Sequence, residues 1–212
     1  MAAKVLTIAQ QKGGAGKTTL AAQLAVAFAA LGKRVALIDI DPQRSLATWH
    51  KARSEDGAGP AHPLHLSEVA GYRATNEISR LKASHDLIII DSPPHAETDA
   101  KVAVRAADLV VVPVQPSPMD LWAIQPTLRL AKAEKVAVLV VLNRVPPRGK
   151  IIETIRSQLE DDALPVAEGM LGNRLPFAAS MMLGRSVLET APRSPAAAEV
   201  RALASEIGAR LQ

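Results

Sequence analysis

The apolar residues of the chain are concentrated in five short runs, separated by longer stretches in which apolar positions recur with helical spacing. The runs contain few polar residues, which is typical of strands that are buried on both faces of a parallel sheet. The predicted strands are residues 5–9, 34–39, 86–91, 109–113 and 136–143. The predicted helices are residues 17–31, 44–51, 68–81, 97–106, 120–132, 150–160 and 196–211.

The alternation of strands and helices predicts an α/β fold. Its form should be a doubly wound, mostly parallel sheet, with ligands bound beyond the carboxyl ends of the strands. A chain of 212 residues fits one such domain, so residues 1–212 are expected to form a single domain. The stretch 54–65 is rich in Gly, Ala, Pro and His, and we expect a surface loop there.

The amino-acid composition indicates the kind of compartment in which the protein works and the kind of molecule it binds. Cysteine is absent, which excludes disulfides, thiolate metal sites and a cysteine nucleophile, and which favours an intracellular protein. The apolar runs are far shorter than the roughly 20 residues that a membrane span needs. A net charge of +4 and a pI of about 9.6 mildly favour polyanionic partners such as nucleic acid.

A glycine-rich segment lies between the first predicted strand and the first predicted helix. Its residues are Gln11, Lys12, Gly13, Gly14, Ala15, Gly16, Lys17, Thr18 and Thr19. The backbone N–H groups of such a turn, at a helix N-terminus, bind phosphates. We expect Lys17 to reach the β- and γ-phosphates, Thr18 to bind Mg²⁺ and Thr19 to donate to the α-phosphate. The usual G-x-x-x-x-G-K-[ST] pattern is not met, because Gln11 replaces its first glycine; a glycine turn that only packs is the alternative.

Two carboxylate motifs follow at the ends of predicted strands, where a γ-phosphate and a metal-bound water would lie. They are Asp39-Ile40-Asp41-Pro42-Gln43 and Asp91-Ser92-Pro93-Pro94. Asp91 is expected to hold Mg²⁺, directly or through water, as the acid at such a strand end does in P-loop proteins. Asp41 is expected by analogy to orient or activate the attacking water. A helix cap for Asp41 and a turn-forming role for Asp91 are the alternative interpretations.

Together, residues 12–19, 39–43 and 91–94 resemble the nucleotide motifs of the ParA/MinD family of dimeric ATPases. The resemblance implies a P-loop NTPase fold with ATP and Mg²⁺ as cofactors. It also implies that Lys12 is a signature lysine, which reaches across a nucleotide sandwich dimer to the phosphates of the other subunit. Lys12, Lys17 and Asp41 are then the catalytic residues. Asn143 resembles the family's adenine-reading asparagine, although a capping or turn role is a strong alternative.

Within this family, residues 113–120 and 184–189 are most similar to short ParA-type partition ATPases. Iron-protein relatives need cysteine ligands, and tyrosine-kinase relatives carry a tyrosine cluster, whereas this chain has only Tyr72. Larger partition ATPases have an N-terminal operator-binding domain, but here the phosphate motif begins near residue 10. MinD-like proteins end in a membrane-targeting helix, whereas residues 196–212 lack the strongly basic face of such a helix. Core packing is therefore expected for this segment.

The resemblance also implies non-specific DNA binding by the ATP-bound dimer, through basic residues in the latter half of the chain. Arg148, Lys150, Arg174 and Arg185 are the predicted DNA-binding residues. Ordinary solvated charge is the alternative, because acidic residues such as Glu153 lie among them. Further basic residues of the same region are Arg144, Arg156 and Arg193.

The expected function is ATP-driven partitioning of DNA or another cargo. ATP would dimerise the protein on the nucleoid, and a ParB-like or other cargo-bound protein would stimulate a slow hydrolysis. The expected location is cytoplasmic and nucleoid-associated, with no membrane partner. Two alternatives stay open: a MinD-like, membrane-associated regulator of the division site, and a metabolic P-loop ligase or kinase, for which the sequence shows no acceptor motif.

Overall fold

A parallel sheet forms the centre of the protein. The computed structural model describes residues 2–55, 61–94 and 97–212, and the sheet in these ranges has six strands. The strands are β1 (Lys4–Ile8), β2 (Val35–Asp39), β3 (His65–Glu68), β4 (Leu87–Asp91), β5 (Leu109–Val114) and β6 (Ala137–Leu142). Their order is β3-β2-β4-β1-β5-β6, and each neighbouring pair is parallel. The predicted doubly wound α/β architecture is confirmed.

The helices connect the strands and cover the sheet. They are α1 (Lys17–Ala30), α2 (Ser45–Glu55), α3 (Ala74–Leu81), α4 (Glu97–Ala106), α5 (Pro118–Ala123), α6 (Gln125–Ala133), α7 (Ile151–Asp161), α8 (Leu175–Met182), α9 (Val187–Thr190) and α10 (Pro195–Arg210). The helices α1, α2, α4, α7 and α10 were predicted, with ends that differ by a few residues. The short helices α8 and α9 were not predicted.

The predicted helix 68–81 is wrong in its first half. Glu68 ends strand β3, a single 3₁₀ turn follows at Gly71–Arg73, and α3 begins only at Ala74. The reason is tertiary: β3 pairs with β2, and Gly71 packs against α4 so closely that a Cβ atom would lie 2.1 Å from Asp99 Oδ1. The predicted loop 54–65 is shorter at both ends, because α2 extends to Glu55 and β3 begins at His65. Its residues 56–60 lie outside the described ranges.

The predicted helix 120–132 is two helices. Ser117 caps α5 by accepting a hydrogen bond from the Asp120 N–H at 3.2 Å, so α5 begins earlier than predicted, at Pro118. Pro126 lies in the first turn of α6, where its missing N–H costs nothing. Because proline cannot donate to the carbonyl four residues earlier, α5 ends before it and the chain restarts as α6.

Helices pack on both faces of the sheet because alternate strand residues point to opposite sides. On one face Ile89 joins a core formed largely with α1 and α10, and on the other face Ile88 and Ile90 join a core with α3. Helix α10 buries Val200 and Ile207 in the first of these cores, which confirms the core-packing interpretation of the C-terminal segment. None of the helices in the described ranges has the length and apolar character needed to cross a bilayer.

Candidate functional site

The glycine-rich turn lies at the carboxyl edge of the sheet, between β1 and the N-terminus of α1. Gly14 and Gly16 have φ values of +77° and +91°, in the left-handed region that glycine adopts at little steric cost. A Cβ atom on Gly16 would lie 2.4 Å from Asn143 Nδ2. That Nδ2 group donates to the carbonyl of Ala15 at 2.8 Å, and Gln115 Nε2 donates to the carbonyl of Gly14 at 3.0 Å. Side chains that follow β5 and β6 therefore fix the shape of the turn.

Thr18 and Asp91 meet beside this turn. Thr18 Oγ1 donates to Asp91 Oδ2 at 2.6 Å, whereas Asp91 Oδ1 is buried without a hydrogen-bond partner among the described residues. Burial raises the pKa of Asp91 to about 7, because a poorly solvated site disfavours the charged carboxylate. A divalent cation would satisfy the buried oxygen and favour the ionised form. Hydroxyl and carboxylate oxygens are ligands that suit Mg²⁺, so the predicted metal-binding pair fits this ion.

Lys17 begins helix α1 and is almost completely buried. Its ammonium donates to the carbonyl of Lys12 at 3.4 Å, which is a long hydrogen bond for a buried charge. Burial lowers the pKa of Lys17, and this effect is opposed by the negative charges of Asp91 and Asp41. An anionic ligand at the turn would compensate the buried ammonium, since charge-assisted hydrogen bonds to phosphate are strong.

Asp39 ends β2 and Asp41 follows it, and the two carboxylates have different surroundings. Asp39 is buried and accepts hydrogen bonds from the N–H groups of Asp41 at 3.0 Å and Ala47 at 2.9 Å. It therefore ties the loop after β2 to the start of α2, a positioning role that the sequence motif alone did not reveal. Asp41 is less buried, and its Oδ1 accepts a hydrogen bond from the Gln43 N–H at 2.9 Å. The catalytic role of Asp41 stays a prediction.

Lys17, Thr18 and Asp41 line a cavity of about 680 Å³, a volume within the range of small-molecule sites. It brings together the glycine-rich turn, the loop after β2, one face of α2, Arg144 in the connection after β6, and the end of α8. Its lining residues are Gly13, Gly14, Gly16, Lys17, Thr18, Thr19, Asp41, Gln43, Ser45, Thr48, Trp49, Ala52, Pro94, Arg144, Met181 and Met182. The contributions of α2 and α8 were not predicted, because neither helix carries a recognisable nucleotide motif.

Lys12 has a different environment from Lys17. Its Nζ atom forms an ion pair with Asp120 Oδ2 at 2.7 Å, and 38% of its side chain is exposed. Asp120 is buried, and its Oδ2 also accepts a hydrogen bond from Ser117 Oγ. Lys12 is thus held against the start of α5, outside the set of residues that line the cavity. Asp120 belongs to a motif noticed in the sequence, but its contact with Lys12 was not predicted.

Hydrogen bonds with helices α1 and α2, which flank the cavity, hold the segment of residues 184–189 that follows α8. Gln23 of α1 accepts hydrogen bonds from Ser186 Oγ at 2.7 Å and from the Val187 N–H at 2.9 Å. Arg53 of α2 is buried and forms two hydrogen bonds of 2.8 Å to the Glu189 carboxylate. Burial opposes ionisation of Glu189, but hydrogen bonds from Arg53 and from the Ser186 N–H outweigh it and lower the pKa of Glu189. Residues 184–189 therefore connect the nucleotide-facing helices to the C-terminal part of the core.

The predicted DNA-binding residues do not share one environment. Arg148 and Lys150 are exposed in the connection between β6 and α7. Arg174 forms an ion pair with Glu199 at 2.6 Å, and Arg185 lies 3.7 Å from the Glu189 carboxylate with 12% of its side chain exposed. Part of the basic character predicted for this region is thus neutralised within the protein.

Comparison with known proteins identifies the family. Residues 6–182 match the family model of the CobQ/CobB/MinD/ParA nucleotide binding domain. The chain belongs to this family. The chromosome-partitioning ATPase Soj of Thermus thermophilus is 30% identical, with 98% of this chain and 96% of Soj covered. The maintenance of carboxysome distribution protein A of Halothiobacillus neapolitanus is 27% identical, with 95% of each chain covered.

The fold of this family is also present in solved structures that are more distant in sequence. The septum site-determining protein MinD of Pyrococcus horikoshii OT3, complexed with Mg-ADP, superposes with a TM-score of 0.77 at 21% identity, covering 97% of this chain and 96% of that one. The resemblance to the ParA/MinD family and the P-loop NTPase fold are confirmed. The chain is an ATPase of the ParA/MinD type, with ATP and Mg²⁺ as its cofactors.

Proposed function

We propose that this ATPase positions DNA or a DNA-associated cargo through a cycle of ATP-dependent dimerisation. Two ATP-bound copies form a sandwich, and the dimer binds DNA without sequence preference at the nucleoid in the cytoplasm. A ParB-like or other cargo-bound partner then stimulates hydrolysis, and the separated copies release the DNA. The names of two relatives support this proposal, because one partitions chromosomes and the other maintains carboxysome distribution.

The observation that carries the proposal is the position of Lys12. Its ammonium pairs with Asp120 at 2.7 Å, while Lys17 already supplies a cation to the cavity of the same chain. A P-loop that serves only its own nucleotide has no use for a second lysine held outside the cavity. A facing copy, however, would offer phosphate oxygens, to which Lys12 could transfer from Asp120. ATP binding and dimerisation then become linked, because the nucleotide of one copy holds the lysine of the other.

Hydrolysis would take place between the ends of two neighbouring strands. Asp41 follows β2 and Asp91 ends β4, and these strands pair so that Asp39 lies opposite Asp91. Thr18 and Asp91 would hold Mg²⁺, which neutralises phosphate charge when bound. Asp41, on the cavity wall, would orient the attacking water, and Lys17 would hold the β- and γ-phosphates.

The DNA surface of the dimer is proposed to include Arg148 and Lys150. Both are exposed, and within the described ranges their side chains have no carboxylate partner. Arg174 and Arg185 contribute less, since each lies against a glutamate of its own chain. A dimer presents every such group twice, and the affinity for DNA rises steeply with the number of phosphates that are neutralised.

A charge-removal experiment tests this proposal. DNA retention by wild type and by Arg148→Gln/Lys150→Gln is measured with ATP and Mg²⁺ over a range of salt concentrations. The variant should bind DNA more weakly. The slope of log affinity for DNA against log salt concentration should be smaller in magnitude by about 3 to 4, because four phosphate contacts per dimer are lost. The control is Arg129→Gln/Lys132→Gln, which removes the same charge from exposed positions on α6.

Three results would contradict the proposal. An equal loss in both variants would assign the effect to net charge and not to this surface. If the wild-type protein retained no DNA in the presence of ATP, DNA binding would not be part of its cycle. Co-sedimentation of wild type with liposomes instead of DNA would favour the MinD-like alternative.

A further inference from the structure

An open groove lies at the amino edge of the sheet, opposite the edge that carries the nucleotide cavity. It runs between helix α6 and the beginning of edge strand β6, and residues that follow α7 close its other side. Its volume is about 550 Å³. Because all six strands are parallel, the length of the strands separates the beginning of β6 from the glycine-rich turn.

One face of α6 forms a wall of this groove. The lining residues of α6 lie three or four positions from one another, as residues on a single helical face do. They are Gln125, Leu128, Arg129 and Lys132. From the first to the last of them the helix rises by about 10 Å, which is the length of about three residues of extended chain. The groove therefore has the length of a short extended peptide.

The floor of the groove is apolar. Its residues are Leu128, Val136, Val138 and Leu164. All four pack against the core formed by β5, β6 and α7, but each is only partly buried. Covering the apolar surface that they leave open to water would be favourable, so the floor suits a ligand with apolar side chains.

The outer edge of β6 is unpaired where it borders the groove. The Asn143 N–H donates to the Val114 carbonyl of β5 at 2.8 Å, whereas the Val140 N–H donates to the Pro165 carbonyl on the outer side at 2.8 Å. Because backbone groups alternate between the two sides of a strand, Val138 directs its N–H and C=O outward as Val140 does. No backbone group of the described residues bonds to those of Val138. Such a free edge is a template for pairing with another chain.

The side chains at the rim of the groove are basic on balance. Arg129 and Lys132 are exposed, and neither forms an ion pair in the part of the chain that the structure describes. Asp162 lines the other side of the groove but does not pair with them. Two free cations against one carboxylate favour an acidic ligand, while the carboxylate and the apolar floor disfavour the closely spaced phosphates of DNA.

We propose that this groove binds an extended acidic segment of a partner protein, which adds to the edge of β6 beside Val138. In strand addition the main chain supplies affinity and alternate side chains supply specificity. Two carboxylates separated by one residue lie on the same side of an extended chain, about 7 Å apart. They can therefore reach Arg129 and Lys132, which are one helical turn apart. An apolar side chain at the next position on that side covers Leu128.

The position of the groove gives the bound partner a role outside the ATP-dependent cycle proposed above. Two copies that face each other across their nucleotides leave the opposite edge of each sheet accessible. Strand β6, of six residues and roughly 20 Å, also separates the groove from the connection that carries Arg148 and Lys150. The partner can thus stay attached in every nucleotide state, so the groove anchors a partner and does not trigger hydrolysis.

An NMR titration of the full chain without nucleotide tests this inference independently of dimerisation. The probe is the synthetic peptide Val-Thr-Glu-Thr-Glu-Thr-Val, whose side chains read the same in both strand directions. It should shift the Val138 amide resonance and slow the hydrogen exchange of that amide, because the N–H gains an acceptor. The matched peptide with Lys in place of Glu should not bind. Saturating ATP should leave the affinity for the acidic peptide unchanged.

Two variants separate the contributions of charge and backbone. Arg129→Gln/Lys132→Gln should weaken peptide binding by about 3- to 30-fold, the range for two exposed ion pairs. Val138→Pro removes the outward N–H without removing a bond to β5, and it should weaken binding by about 3- to 10-fold. The control Lys33→Gln/Lys82→Gln removes the same charge from exposed positions elsewhere and should bind as wild type does.

Four results would overturn the proposal. They are a wild-type protein that binds neither peptide, an equal weakening in the charge variant and its control, a DNA duplex that displaces the peptide, and a Val138 amide whose exchange the peptide does not slow. The last of these is measured on the wild-type protein, so strand addition is tested even if Val138→Pro does not fold.

Discussion

Residues of the same type have different environments around the nucleotide cavity. Lys12 and Lys17 are five positions apart, yet Lys17 lies buried in the cavity wall whereas Lys12 is half-exposed and paired with Asp120. Asp39 is engaged by backbone N–H groups of the loop and of α2, while Asp91 keeps one buried oxygen without a partner in the described ranges. Each residue's role therefore follows from its surroundings and not from its type.

Asp41 offers the clearest test of the role of a single residue. Replacement by alanine leaves Lys17, Thr18 and Asp91 in place, so ATP affinity should stay within about 3-fold of wild type. Turnover should fall by about 100-fold or more, the usual effect of losing a group that positions or activates a reacting water. With hydrolysis blocked, the protein should accumulate as an ATP-bound dimer in gel filtration.

The matched control for this prediction is Asp162→Ala, which removes an exposed carboxylate near the end of α7. It should keep wild-type turnover and wild-type elution. A monomeric elution profile of Asp41→Ala in ATP and Mg²⁺, or unchanged hydrolysis, would remove Asp41 from the catalytic residues.

The elements that shape the cavity are linked behind it by residues 184–189. Gly184 allows this link, because its φ value is +61° and a Cβ atom there would lie 2.1 Å from the backbone nitrogen of Arg53. The backbone of the segment therefore approaches helix α2 more closely than any side chain would permit. The close approach also brings the Gly184 carbonyl within 3.2 Å of the Arg53 guanidinium.

Gly184→Ala should consequently destabilise the protein by about 2–4 kcal/mol, combining the cost of the left-handed conformation with displacement of α2. The control is Gly32→Ala, at φ +80°, where no described atom lies within 4 Å of the added Cβ. The free energy of unfolding of that variant should fall by about 1–2 kcal/mol, which is the cost of the left-handed conformation alone. Urea unfolding measures both, and equal losses would show that the approach of residues 184–189 to α2 contributes nothing.

At the scale of the whole molecule, the sequence predicts what depends on local pattern and misses what depends on distant contacts. The strands β1, β2, β4, β5 and β6 were predictable because their apolar runs are nearly uninterrupted. Edge strand β3 was not, since its residues His65–Glu68 are mostly polar and only partly buried. Its conformation depends on pairing with β2, which a local pattern does not encode.

The same distinction applies to the site. The phosphate turn and the acidic motifs at the ends of β2 and β4 are each continuous in the sequence, so their residues could be named from the sequence. Asp120 and Met181 lie more than 100 residues from the turn, and only the fold brings them beside Lys12 and α1. Helices α8 and α9 are too short to show a clear period, so their contribution to the cavity could not be predicted.

The central claim is that Lys12 serves the nucleotide of a second copy, and light scattering with ATP and Mg²⁺ tests it most directly. Wild type should reach about twice the monomer mass of 22.4 kDa, and Lys33→Ala, an exposed charge control, should do the same. Lys12→Ala should remain at the monomer mass while calorimetry shows that it still binds ATP, because Lys17 and the turn are intact. A Lys12→Ala protein that dimerises with ATP as wild type does would contradict the sandwich mechanism.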